Sequence, residues 1–96
     1  MKHYFEKEPT ERVTLEIDLT ERLPDGAAPV TVAVTATDPT SGAAAAILPS
    51  ASGSASGSVI SFTVFSGVGQ SYYNVQALTT LDNSDVLEED VVLRVK

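Results

Sequence analysis

Few residues in this sequence have the type and spacing that catalysis requires. His3 is the only histidine, and it lies in a polar segment of mixed charge, residues 1–12, for which the sequence predicts a flexible tail. A general base must be held within hydrogen-bonding distance of its target, which a flexible tail does not do. The serines cluster between Ser50 and Ser58, where no histidine or lysine stands nearby to activate a hydroxyl. We therefore expect no enzymatic activity and no catalytic residue.

An acidic segment near the end of the chain, residues 81–90, raises the possibility of a calcium site. Asp82, Asn83, Asp85 and Glu88 carry the hard oxygen ligands that calcium prefers. Their spacing fits no EF-hand loop, and the glycine that such a loop needs for its sharp turn is missing. The interpretation that we favour is a hairpin turn followed by a charged strand. No metal site and no cofactor are predicted.

The composition restricts the classes of partner. Six basic residues against thirteen acidic ones give a net charge of −7, which opposes binding to nucleic acids and to anionic membranes. The absence of cysteine excludes disulfides and thiolate metal sites. The first residues lack the apolar core of a signal peptide, and no apolar run is long enough to span a membrane. We expect a complete small protein that is made in the cytoplasm.

The elements that must position any functional residue are strands. Apolar and polar residues alternate with a period of two in five segments, and this alternation is typical of half-buried strands. Turn residues separate the segments, and no stretch predicts a convincing helix. The pattern predicts one antiparallel sandwich or small barrel of about six to seven short strands, spanning residues 13–96. The alternating segments are residues 13–19, 30–37, 59–65, 71–80 and 86–96.

The middle of the chain gives a weaker signal. Residues 43–48, "AAAAIL", have high helix propensity but are too few to nucleate a stable helix alone. We favour a short strand because the neighbouring segments are all strand-like, and a helical turn remains the alternative. Residues 49–58 are rich in Ser, Gly and Ala, a composition that predicts a flexible loop.

Two adjacent tyrosines lie near the start of the penultimate predicted strand. Alternation places Tyr73 on the apolar face with Val75, and Tyr72 on the polar face with Asn74 and Gln76. In immunoglobulin-like sandwiches, a tyrosine two residues before a core position of this strand hydrogen-bonds upstream backbone and fixes a corner. Tyr73 is predicted to be such a structural corner, with a plain core aromatic as the alternative. Tyr72 is a possible interface residue, although single exposed aromatics are also common on strands.

The order of the motifs along the chain is distinctive. A Lys-x-Pro element, Lys7 and Pro9, precedes the first alternating segment, which closes on "IDLT" at residues 17–20. The second half carries "ISFTVFSGVGQSYYNVQALTT" at residues 60–80 and "VLEEDVVLRV" at residues 86–95. This ordered set resembles a family of short structural proteins of tailed phages, the fibre–tail adaptors, over nearly the whole chain.

The resemblance implies an immunoglobulin-like β-sandwich that is built into a virion. Single residues at corresponding places are Tyr73, Val75, Thr79, Thr80 and Glu89. The chain would be a tail or connector subunit of a phage or prophage, made in the bacterial host cytoplasm, that joins the tail to a fibre or to neighbouring subunits. Its expected partners are other virion proteins, including further copies of itself in a homo-oligomer. The alternative is an immunoglobulin-like module of a cell-surface protein that binds protein or carbohydrate.

Overall fold

Two β-sheets form the protein, which a computed structural model describes for residues 2–24 and 26–96. This described part of the chain contains no helix, and hence none long and apolar enough to cross a membrane. The strands are β1 (Lys2–Lys7), β2 (Arg12–Asp18), β3 (Pro29–Thr37), β4 (Ser54–Ser56), β5 (Val59–Phe65), β6 (Ser71–Leu81) and β7 (Val86–Val95).

The strands divide into a four-stranded sheet with the order β1-β7-β6-β3 and a three-stranded sheet with the order β2-β5-β4. Every pairing is antiparallel except that of β1 with β7, which is parallel. Buried apolar residues from both sheets form a single core cluster. The prediction of an all-β sandwich is therefore confirmed.

The alternation that predicted the strands also decides which side chains enter the core. In β2, Leu15 and Ile17 are buried, whereas the intervening Thr14 and Glu16 are exposed. The same rule holds along β5, where Ile60 and its alternate neighbours face the opposite sheet. Each strand thus contributes one apolar face, and burial of these faces is the main favourable term for folding.

The N-terminal segment differs from its prediction. Lys2–Lys7 forms β1 at the edge of the four-stranded sheet, in parallel register with β7, where the sequence predicted a flexible tail over residues 1–12. The period of two is present here as well, with Tyr4 and Glu6 exposed and Phe5 packed against the core. Charged and polar side chains on the inward face hid this pattern. Met1 lies outside the described residues.

The middle of the chain also differs from its prediction. Residues 43–48 form neither a strand nor a helical turn, and their backbone contacts the edge of β3 through one isolated bridge between Ala44 and Thr37. Within residues 49–58, predicted to be a flexible loop, lies the strand β4. Small residues permit the close approach of the chain here, because a Cβ atom on Gly53 would lie 2.5 Å from the carbonyl oxygen of Ser61.

Candidate interaction surfaces

Tyr73 contacts both the core and the loop between β5 and β6. Its ring belongs to the core cluster, and its hydroxyl accepts a hydrogen bond from the backbone N–H of Val68, five residues upstream, at 3.0 Å. The side chain therefore joins the buried face of β6 to the loop that precedes it. The corner role of Tyr73 stays a prediction that measurements of stability can test.

The same loop depends on a glycine. Gly67 has a φ of 96°, in the region that residues with a Cβ rarely adopt. A Cβ atom at this position would lie 2.9 Å from Cγ2 of Val95 and 3.4 Å from Cε2 of Tyr73. The loop can lie this close to Val95 only because residue 67 has no side chain.

Tyr72 lies on the outer face of the four-stranded sheet beside other exposed groups. Its side chain is 49% exposed, and the guanidinium carbon of Arg94 lies 5.9 Å from the centre of its ring. Tyr4, also exposed, donates a hydrogen bond to Glu6 Oε2 at 3.1 Å, and Arg94 Nη1 lies 3.5 Å from the same oxygen. We call these four residues the tyrosine–arginine cluster. Tyrosine and arginine, which supply three of its four side chains, are of the types enriched in protein interfaces.

A shallow groove of about 430 Å³ runs along the same outer face. Thr35, Asn74 and Gln76 supply amide and hydroxyl groups, and Glu88 and Asp90 supply carboxylates. This lining is polar and acidic, so the groove favours a partner with hydrogen-bond donors or positive charge.

A buried ionic cluster lies at one end of the sandwich. The side chain of Glu89 is 1% exposed, and Arg22 Nη1 donates to its Oε2 at 2.8 Å and to the carbonyl of Glu88 at 3.0 Å. His3 Nε2 lies 3.7 Å from the same Glu89 oxygen. The cluster brings together residues of β1, of the loop after β2, and of β7.

The ionic cluster corrects the interpretation of His3, which lies in a strand and not in a mobile tail. Sequence reasoning also missed Arg22. A signal was present, because Glu89 falls on the inward face of the last strand together with Val91, Leu93 and Val95, all of them buried. A carboxylate at such a position requires a cationic partner, since burying a lone charge is very unfavourable.

Three of the four residues considered above as calcium ligands, Asp82, Asn83 and Asp85, lie in the turn between β6 and β7, and Glu88 lies in β7. The side-chain amide of Asn83 donates a hydrogen bond to Asp85 Oδ2 at 3.1 Å, and the backbone N–H of Asp85 donates one to Asn83 Oδ1 at 2.9 Å. Asp82 accepts a hydrogen bond from the backbone N–H of Ala28 at 3.1 Å. Across residues 2–24 and 26–96, no group of three His, Cys, Asp or Glu side chains is placed to hold a metal ion.

The two sides of the sandwich differ in how their strand edges are covered. On one side, the outer edge of β3 bonds to the connecting segment, with the Val34 N–H donating to Ala51 at 2.8 Å and the Gly53 N–H donating to Val32 at 2.9 Å. On the other side lie the outer edges of β1 and β2, and no described strand or bridge pairs with either. The open side exposes backbone donors and acceptors that can pair with another chain.

Comparison with known proteins adds no family to this picture. No protein-family model matches the chain, and no curated protein matches it.

Proposed function

We propose that this protein is a non-enzymatic structural subunit of a tailed-phage virion, placed in the tail or connector region. It joins the tail to a fibre or to neighbouring subunits, and it acts as a homo-oligomer with other virion proteins as its partners. The observation that carries the proposal is the open side of the sandwich, where β1 and β2 both present free edges. Strand addition at such an edge is a recurrent way of joining β domains.

The motif resemblance supports the same proposal in a more limited way. Tyr73, Val75, Thr79 and Glu89, which correspond to family positions, are all buried on the inward faces of β6 and β7. Core positions report on a shared fold more directly than on a shared partner. The resemblance therefore supports the fold directly, and it supports the virion role only because family members with this fold have that role.

We infer further that the sandwich is immunoglobulin-like. In that fold, the second, fifth and fourth strands share one sheet, and the third, sixth and seventh share the other. The orders β2-β5-β4 and β7-β6-β3 match this division, and Tyr73 stands near the start of the penultimate strand. One departure is that β1 lies beside β7, and not beside β2.

The virion role is tested by inactivating the gene in the phage or prophage that encodes it. We expect particles whose tails lack a fibre or a neighbouring component in electron micrographs, and restoration of that component when the wild-type gene is supplied. Complete, infectious particles made without the protein would contradict the proposal.

A second function is favoured by the tyrosine–arginine cluster and the polar groove beside it. An immunoglobulin-like binding module of a cell-surface protein would use such a face, because exposed aromatic rings and amide groups bind protein or carbohydrate. Its test is binding to an array of glycans and to the surface of the producing cell. Binding that is lost in Tyr72→Ala, but not in the distant Val30→Ala, would favour this second function.

A further inference from the structure

The four outer edges of the two sheets are not equally protected against pairing. The edge of β3 is covered by the connecting segment, and β4 has only three residues. At the edge in β1, the inward side chain of Lys7 is 2% exposed, and an inward-pointing charge is a known protection against edge pairing. The strand β2 has none of these protections: it has seven residues, no proline and an uninterrupted register with β5.

The register of β2 with β5 identifies the backbone groups that face the open edge. Leu19, directly after β2, donates its N–H to Ser58 at 2.8 Å, in continuation of that register. Hydrogen-bonded and non-hydrogen-bonded pairs alternate along antiparallel strands, so Ile17, Leu15 and Val13 also bond toward β5. The N–H and C=O groups of the alternate residues therefore point away from the sheet; these are Arg12, Thr14, Glu16 and Asp18.

The side chains of these four residues carry a self-complementary pattern of charge. All four are exposed, with a cation at one end of the strand and two carboxylates at the other. When β2 pairs antiparallel with β2 of a second copy about a two-fold axis through Leu15, Arg12 lies opposite Asp18 of the second copy, and Thr14 lies opposite Glu16. The axis relates each pair to an identical one, so both ends gain a favourable cross-strand charge pair.

Other symmetric pairings of β2 with a second copy of itself differ in which charged side chains lie opposite each other. Moving the axis to Glu16 places two carboxylates directly opposite each other, which is destabilising. The charge pattern thus disfavours an axis at Glu16, whereas an axis at Thr14, which places Arg12 opposite Glu16, is also compatible with it. Only the axis through Leu15 places Arg12 opposite Asp18, so variants at these two residues together test that register.

We propose that the edge of β2 binds β2 of a second copy of this chain, so that two three-stranded sheets become one continuous sheet. The proposal deepens the proposed function, since it rests on an assembly role and names the surface and one partner. It leaves the tyrosine–arginine cluster on the other sheet free for a different virion component.

The decisive experiment reverses the charge at each end of the strand in separate proteins. Arg12→Glu alone places like charges opposite each other in its own dimer, and so does Asp18→Lys alone. In an equimolar mixture, the two variants restore opposite charges at both ends. Sedimentation velocity is measured up to about 1 mM protein, because small edge interfaces lie at the weak end of the affinity range.

We expect the wild type to dimerise reversibly, each variant alone to dimerise at least about tenfold more weakly, and the mixture to recover wild-type affinity. Such mutual rescue is not expected from a change in stability alone. A wild type that stays monomeric throughout, variants that dimerise as well as the wild type, or a mixture without rescue would each overturn the proposal.

Asp18 also accepts hydrogen bonds within its own chain, so a second variant is needed if Asp18→Lys fails to fold. Thr14→Pro removes an N–H that points to the open edge, and proline is tolerated at such positions of edge strands. We expect this variant to keep the far-ultraviolet circular dichroism of the wild type and to lose dimerisation. Undiminished dimerisation of folded Thr14→Pro would overturn the proposal.

Failure of the β2 contact can be distinguished from failure of the proposed virion function. A chain that is found in phage particles but stays monomeric at every concentration overturns the β2 contact and retains the virion role. A chain that dimerises through β2 but is absent from particles supports the contact and overturns the virion role.

Discussion

The contacts of Tyr73 allow the clearest prediction of stability. Tyr73→Phe keeps the buried ring and removes only the hydroxyl that accepts the Val68 N–H at 3.0 Å. Tyr73→Ala removes the ring as well and opens a cavity in the core. The adjacent Tyr72 supplies matched controls, because Tyr72→Phe and Tyr72→Ala make the same chemical changes on the opposite, exposed face.

The expected magnitudes follow from burial. A single hydrogen bond contributes about 1 kcal/mol net, so Tyr73→Phe, which removes the acceptor of the Val68 N–H, should lower the free energy of unfolding by about that amount. Truncation of a large buried aromatic costs about 3–5 kcal/mol, so we expect Tyr73→Ala to remove a large part of the stability of a small domain. Loss of the exposed ring in Tyr72→Ala should cost less than about 1 kcal/mol, including its contact with Arg94.

The assay is urea unfolding followed by far-ultraviolet circular dichroism, which reports on the sheets and does not depend on the mutated rings. The free energies of unfolding are compared for the wild type and the four variants. Equal losses for Tyr73→Ala and Tyr72→Ala, or a Tyr73→Phe variant as stable as Tyr72→Phe, would refute the prediction that Tyr73 is a corner.

Three further predictions concern single positions. Gly67→Ala should lower the free energy of unfolding by about 1–3 kcal/mol, through backbone strain and contact of the new Cβ with Val95. Gly57→Ala should cost less, because Gly57 also has a positive φ but has open space around it. Equal losses in the two variants would contradict the close approach at Gly67. Burial lowers the pKa of Lys7 in the folded protein from its usual 10.5. Between that lowered pKa and 10.5, the unfolded chain therefore binds more protons than the folded protein. In urea unfolding, the stability of the wild type should therefore rise relative to that of Lys7→Met as the pH increases through that window, and a constant difference would contradict this. Hydrogen bonds from the hydroxyl and backbone N–H of Thr20 lower the pKa of Asp18, so its contribution is present above pH 3.8 and is lost as the pH falls through the lowered pKa. The difference between wild type and Asp18→Asn should shrink in acid, and a difference that grows there would be inconsistent with these bonds.

The strands of the second half could be predicted because their alternation is regular. In β5 and β6, nearly every inward position carries an apolar side chain, so the period of two was visible and the faces of Tyr72 and Tyr73 followed from it. In β1 the same period is carried by His3, Phe5 and Lys7 on the inward side. Two of these three are basic, and the pattern reads as a polar tail unless the partners of the basic groups are known.

The edge cover of β3 could not be predicted for a different reason. Residues 43–53 are mostly small and show little periodicity, and although Ile47 is buried in the core, the contacts with the edge of β3 are made by backbone atoms, as in the bond from the Ala45 N–H to Ala36 at 2.9 Å. Such bonds depend on where the chain passes in space and are independent of side-chain type. The ionic cluster likewise required the sheet order, because only the pairing of β1 with β7 brings His3 near Glu89.

The proposal that this protein is a virion subunit is tested most directly by quantitative mass spectrometry of particles purified from the strain that carries its gene. Particles banded in a density gradient are digested, and the copy number of this chain is measured relative to the major tail protein. A structural subunit should be present at a fixed ratio of several copies per particle that survives repeated banding. Absence of the chain from infectious particles, with its recovery in the secreted or cell-surface fraction, would contradict the assignment and favour a cell-surface binding module.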